Sequence, residues 1–288
     1  MSTTLFIGLG RMGAPMATLH AQAFATAVFD LSSDAAAEVG EAGGATPITD
    51  LRSIPADVDT VILMLPSSRQ VEETLSGEEG LLHRLGGGAL IIDMSSSEPT
   101  STRSLAQQAH ERGIDYVDAP VSGGVTKAKT GELSILVGGS AEAVERAMPH
   151  LEVMGSTIIH VGDEGAGDAA KAINNLVSAS NIAVACEALT VAQNFGIDPA
   201  KMAEVLNSAT GRSQASKLKI TKYILPHDFT SGFAYDLMLK DMTIARGLAE
   251  SLETPVTATA FDKLRTGRAQ LGDAPDHTEI SRLYGLGQ

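Results

Sequence analysis

Over the first 160 residues, short apolar runs alternate with segments whose apolar positions recur at helical spacing. The runs at 4–9, 25–30, 60–65, 89–94, 114–120, 133–138 and 156–162 read as strands. Several are continuously apolar, as strands buried on both faces require. Helical segments separate most of them, such as 99–112, with Pro99 near its start, and 141–154, closed by Gly155. This alternation implies βαβ units and a doubly wound α/β sheet. After Gly165 the pattern becomes helical. One long helix is expected over 167–195 with Gly196 as its stop, and Asp198 with Pro199 opens the next. Few strand signals follow. The pattern predicts an α/β domain over 1–163 and an all-α domain over 164–288, joined by the long helix.

That helix carries a polar stripe. At about 100° per residue, Lys171, Asn175 and Ser178 fall within a narrow arc, with Asn174 at its edge. The bland reading is a snorkelling lysine with amides that satisfy neighbouring loops.

Composition narrows the choice of ligands. The chain is 43% hydrophobic with a net charge of −14, which suits a globular fold and opposes binding to nucleic acid or an anionic membrane. Residues 196–288 balance 11 Lys and Arg against 11 Asp and Glu, whereas residues 1–195 hold 10 against 24. An anion bound by the first part must therefore meet backbone N–H groups rather than a basic surface. The single Cys186, in an apolar helical run, reads as a buried small hydrophobe. The first residues lack a basic leader, and no apolar run is expected to reach the ~20 residues of a membrane helix. A reduced, cytoplasmic setting is the default expectation.

The stretch FIGLGRMGAPMA places Gly8, Gly10 and Gly13 in the order G-x-G-x-x-G between a strand and a helix-compatible segment. The next strand ends in Asp30, 22 residues beyond Gly8. This order reads as a Rossmann-type dinucleotide fingerprint, with a structural glycine turn as the plain alternative. Gly8 permits the tight turn, Gly10 lets the backbone approach a pyrophosphate, and Gly13 allows close packing. The N–H groups around Arg11 and Met12 face the phosphates at the helix N-terminus. A carboxylate at Asp30 accepts from ribose hydroxyls and repels a 2′-phosphate, which points to NAD, with NADP the other candidate. The plain alternative for Asp30 is a strand-end cap.

Three further strand ends carry distinctive chemistry, at the edge where such sheets bind ligands. Leu65 and Pro66 form a rigid turn suited to run beside a cofactor, Ser95 and Ser96 offer hydroxyls, and Ser122, Gly123 and Gly124 form a small donor surface for a carboxylate. Read blandly, Ser95–Ser97 are helix caps, and Gly123 and Gly124 are a flexible turn. No metal-ligating pattern stands out.

With these motifs in order, the chain resembles the β-hydroxyacid dehydrogenases, the family of 3-hydroxyisobutyrate dehydrogenase and tartronate semialdehyde reductase. FIGLGRMGAPMA, DMSSSEP, DAPVSGGVTKAKTGELSILVGG, GAGDAAKAINN and FAYDLMLKDMTIA carry the match across essentially the whole chain. The resemblance implies Lys171 as the catalytic residue, with Ser122, Gly123, Gly124 and Asn175 holding the substrate. It places Ser96 near the nicotinamide ribose with Ser95 beside it, and brings Lys240 and Phe233 over the nicotinamide. It also implies a homodimer or homotetramer built through the α-domain, and a small hydroxy acid as substrate. Many relatives carry a tryptophan in the segment matching TGRSQASK. This chain has none and places Arg212 and Gln214 there, which suggests a more polar pocket.

Oxidising an alcohol with a nicotinamide cofactor needs a positioned proton acceptor. Burial at a domain junction and a place in the first turns of a helix would both favour the neutral lysine that this task requires. The cluster Arg212, Lys217, Lys219 and Lys222 reads first as a solvated helix face, with attraction of an anionic substrate as its alternative. Asp276, His277 and Thr278 read as a helix N-terminus. The competing functions are an imine reductase-like enzyme and a non-catalytic NAD-binding or assembly module. The first generally lacks the catalytic lysine, and the second has no need of the set Lys171, Asn175 and Ser122–Gly124.

Overall fold

A computed structural model describes residues 3–286. Two compact units meet between Lys171 and Ala172. In the first, strands β1 (Thr3–Ile7), β2 (Thr26–Phe29), β3 (Thr46–Pro47), β4 (Val58–Leu63), β5 (Leu90–Asp93) and β6 (Asp115–Asp118) run parallel in the order β3-β2-β1-β4-β5-β6. Helices α1 (Gly13–Ala23), α2 (Ser33–Gly43), α3 (Ser68–Ser76) and α4 (Pro99–His110) connect them. Side chains alternate across the sheet, so each strand feeds two cores. Phe6, Val28, Ile62 and Ile92 enter one, and Leu5, Val61, Leu63 and Ile91 the other. Burial on both faces explains why these strands read as unbroken apolar runs.

Beyond β6 the sheet departs from the expected pattern. The run at 114–120 breaks after Asp118, and a short strand β7 (Val121–Ser122) pairs antiparallel with β8 (Leu133–Gly138). Pro120, with no N–H to donate, sits at the break. Helix α5 (Gly124–Thr130) fills the connection, and β8 runs antiparallel to β6. Helix α6 (Ala141–Glu152) stops earlier than its periodicity suggests, and Gly155 opens β9 (Gly155–Gly162) instead of closing the helix. A Cβ at Gly155 would lie 2.6 Å from the Ile135 side chain, so β9 packs beside β8 only with glycine there.

The long helix α7 (Ala166–Phe195) covers 30 residues and crosses the division between the units. By length and composition it could span a membrane, contrary to the expectation that no run comes close. Its most apolar window has mean hydropathy 1.3, and half of that window is buried inside the protein. Ala179, Ile182, Cys186 and Leu189 supply the second unit's core. Burial pushes the Cys186 thiol up to about 12. Helix α8 (Pro199–Ser208) begins as expected, with the Asp198 carboxylate accepting from the Ala200 N–H at 2.7 Å. A ten-residue π-helical segment (Ala215–Ile224), α9 (Tyr235–Leu248) and α10 (Pro255–Gly267) follow. In the π-helical segment Lys217 and Lys222 are exposed, while Ala215, Ser216, Ile220 and Ile224 are buried. Asp276 caps the 3₁₀ stretch His277–Tyr284 in a reciprocal box with Glu279, as its sequence suggests.

Candidate active site

The sheet order reverses between β1 and β4, so the carboxyl ends of these strands flank the crevice where doubly wound sheets take their ligands. Gly8 follows β1 with φ +94°, and a Cβ there would lie 2.4 Å from the Met64 carbonyl oxygen. A Cβ at Gly13 would sit 1.9 Å from the Gly8 oxygen. Both glycines are therefore demanded by packing of the β1 end against β4 and α1. Gly10 differs: a Cβ there would meet no atom within 4 Å. Nothing in the fold asks for glycine at 10, and its backbone is open to a group approaching from outside. Helix α1 starts beside it at Met12 with no capping side chain and no acid in its first turn. Its uncompensated dipole suits a pyrophosphate. Arg11 is exposed at the turn.

Asp30, at the end of β2, accepts from the Leu9 N–H at 2.7 Å and from the Ser32 N–H at 2.8 Å. It thus caps its strand end and ties it to the glycine turn, and its carboxylate is fixed beside that turn. The next residue, Leu31, is 97% exposed. These residues fit a dinucleotide: a bare turn for the phosphates and a carboxylate at ribose distance along the motif.

At the β4 and β5 ends, the Leu65 N–H donates to Ser95 Oγ at 2.9 Å. Ser95 is buried, so its hydroxyl joins two strand ends, while Ser96 is half-buried and Pro66 exposed. None of Ser95–Ser97 caps α4, whose N-cap residue is Glu98. Ser122 ends β7, and Gly123 and Gly124 follow with φ of +140° and +70°. A Cβ at Gly124 would meet nothing within 4 Å, so its backbone is open to solvent, and its positive φ favours glycine.

Lys171 lies in the second turn of α7 and is 8% exposed. One turn on, Asn175 is buried, and its amide donates to Asp241 Oδ2 on α9 at 2.6 Å. Asn174, exposed, donates to Asn175 Oδ1 at 3.3 Å, so it supports its neighbour. The Lys240 ammonium stands 3.4 Å from Asp241 Oδ1. Phe233 packs edge-on against His277, with ring centroids 5.4 Å apart, and its carbonyl accepts from the His277 N–H. Burial drives the His277 imidazole down to about 4, so it is a neutral support for this loop.

Two family models match the chain. Residues 3–162 match the NAD-binding domain of 6-phosphogluconate dehydrogenase. Residues 165–284 match the model described as NAD-binding of NADP-dependent 3-hydroxyisobutyrate dehydrogenase. The 2-(hydroxymethyl)glutarate dehydrogenase of Eubacterium barkeri is 42% identical over 97% of this chain and 93% of its own. The 3-hydroxyisobutyrate dehydrogenase of Pseudomonas aeruginosa is 38% identical over 99% of each. The chain belongs to the NAD(P)-dependent β-hydroxyacid dehydrogenase family. A solved 3-hydroxyisobutyrate dehydrogenase from Mycobacterium tuberculosis, with L-serine, shares the fold at a TM-score of 0.86, with 31% identity over 98% of both chains. The family chemistry is oxidation and reduction at a CH–OH carbon with a nicotinamide cofactor.

This β-hydroxyacid dehydrogenase also holds four buried acids that sequence reasoning did not single out: Asp93, Asp118, Asp168 and Asp241. Each stands inside a quoted motif, and the available signal was a carboxylate set within an apolar run.

Proposed function

We propose that the chain interconverts a short β-hydroxy carboxylic acid and its semialdehyde or ketone with NAD, and that Lys171 carries the proton. The observation that carries this reading is a buried lysine in the second turn of α7 with Asn175 one turn beyond, its amide held by Asp241. The nicotinamide supplies the hydride chemistry when bound. Lys171 Nζ takes the hydroxyl proton in oxidation and returns it in reduction. The Ser122 hydroxyl and the Gly123 and Gly124 backbone hold the substrate carboxylate. Of the two Asn175 amide protons, one goes to Asp241 and the other meets the substrate hydroxyl. Ser96 faces the nicotinamide ribose. Resemblance to the family is what assigns Phe233 and Lys240 to the nicotinamide.

The fixed Asp30 carboxylate and the exposed Leu31 support NAD over NADP, because a 2′-phosphate there meets a negative charge with no compensating arginine. The substrate we infer bears a polar or acidic substituent. Arg212 and Gln214 in place of tryptophan support this, as does similarity to an enzyme named for 2-(hydroxymethyl)glutarate.

Self-association through the helical unit belongs to the same reading. Ile173, Val177, Val184, Val191 and Phe195 are all exposed on α7. At helical spacing they fall on one stripe. A cytoplasmic setting fits the single buried thiol.

The test is a dehydrogenase screen of 3-hydroxyisobutyrate, glycerate, serine and 2-(hydroxymethyl)glutarate with NAD and NADP in parallel. Lys171→Ala should keep NAD binding and lose about 10²–10⁴ in turnover. Near-normal turnover in that variant rejects the mechanism.

A further inference from the structure

Three carboxylates meet where β5, β6 and α7 come together, all in the first unit. Asp93 and Asp118 have no exposed surface, and Asp168 is 2% exposed. The Asp93 carboxylate accepts from the Ser95 N–H at 3.0 Å, the Ser97 hydroxyl at 3.3 Å and the Tyr116 hydroxyl at 3.2 Å. Asp118 reaches across to the start of α7 and accepts from the Gly165 and Asp168 N–H groups at 2.8 and 2.9 Å. It caps that helix from another element, and the dipole favours its charge. Gly138 and Gly167 make room for it: Cβ atoms there would lie 2.5 and 2.8 Å from its two oxygens.

Asp168 has a different set of partners. Its Oδ1 accepts from the Ser97 N–H at 2.9 Å, and its Oδ2 lies 2.8 Å from Thr102 Oγ1. Thr102 Oγ1 also lies 3.3 Å from the Glu98 carbonyl oxygen, and a hydroxyl has one proton to give. Both contacts are satisfied when Asp168 carries a proton, donates it to Thr102 Oγ1, and Thr102 donates to Glu98. A neutral Asp168 also spares the cluster a further buried negative charge.

We propose that Asp168 is a positioning residue that holds a structural proton and clamps the Ser95–Ser97 loop to the first turn of α7, one turn before Lys171. Ser97 is gripped twice, by Asp93 and Asp168, and Ser95 is held by Asp93 and by the Leu65 N–H. Ser96 is thereby presented by two pinned neighbours. This rests on the reading of Ser96 and Lys171 as ribose and proton partners.

Burial, with Asp118 and Asp93 nearby, lifts Asp168 well above the ordinary carboxylate range. The groups facing it are Asp93 on β5, Tyr116 and Asp118 on β6, the Ser97 N–H, and the Thr102 hydroxyl in the first turn of α4. A group whose folded value is raised stays protonated in the folded chain after the unfolded chain has released its proton, from about pH 4 upward. Stability then falls as pH rises toward the folded value. Asp118, pushed up to about 6 by burial, and Asp93, also raised by burial, tilt the curve the same way in every variant that keeps them.

Asp168→Asn supplies the neutral shape: its carbonyl accepts from Ser97 and its amide donates to Thr102. We expect Asp168→Asn to keep kcat near wild type and to flatten the decline of Tm with pH. A protonated-carboxyl C=O stretch, present in the wild type at neutral pH, should vanish from its infrared difference spectrum. Asp168→Ala should lower kcat by about tenfold or more through misplacement, with a smaller change in KM for the hydroxy acid. The proposal fails if Asp168→Asn does not fold, if it loses as much kcat as Asp168→Ala, or if the stretch and the Tm slope match wild type. The melts and spectra need no turnover, so they judge the proton even where Lys171→Ala overturns the catalytic reading.

Discussion

Asp30 uses both carboxylate oxygens on backbone N–H groups, one in the glycine turn and one in its own. Its charge therefore stays at one point beside the expected ribose. Asp30→Asn should reduce discrimination against NADP by about tenfold or more, as the loss of one charge-assisted interaction allows. The ratio of kcat/KM for NAD and NADP measures it, and an unchanged ratio would mean that Asp30 is only a strand-end cap. At this scale the sequence was informative wherever chemistry follows local spacing. Lys171 and Asn175 share a helix face, and the exposed Asn174 stands off it. Asp93, Asp118 and Asp168 were illegible because their meaning lies in pairings across the fold: Asp168 meets Ser97 71 positions away. Asp241 was hidden in the same way, since its partner Asn175 is on another helix.

Among the elements, the glycine fingerprint separates into two kinds of necessity. Gly13→Ala drives a methyl into the Gly8 carbonyl and should cost about 1–3 kcal/mol or more of stability. Gly10→Ala meets no protein atom and involves no positive φ, so its Tm should stay near wild type while NAD affinity drops. Paired melts and NAD titrations decide this. Equal loss of stability in both variants would make the motif structural throughout. The parallel strands were legible because burial on both faces writes itself as apolar runs. β3 and β7 were not, since two residues carry no pattern. Nor was the direction of β8, which depends on how the connection from β6 folds back rather than on its own side chains. The π-helical segment has ordinary helical composition, and the register change has no local mark.

For the whole molecule, the exposed stripe on α7 is the feature that a lone chain does not explain. Val184→Glu combined with Val191→Glu should keep the helical circular-dichroism signal of the folded chain and shift sedimentation velocity toward the monomer. An unaltered distribution would place any assembly elsewhere. The uneven charge was visible at once in composition, and it agrees with the proposed nucleotide site of a bare turn and a helix end. The division of the chain inside α7 was harder to see, because a continuous helix carries no break in its pattern.

The lone thiol has a practical consequence. Cys186 has no exposed surface and a strongly disfavoured thiolate, so alkylating reagents meet a silent background. A cysteine introduced at the exposed Leu31, next to Asp30, becomes the single reactive handle in the chain. A fluorophore there would report nucleotide binding directly, without any need to know the substrate.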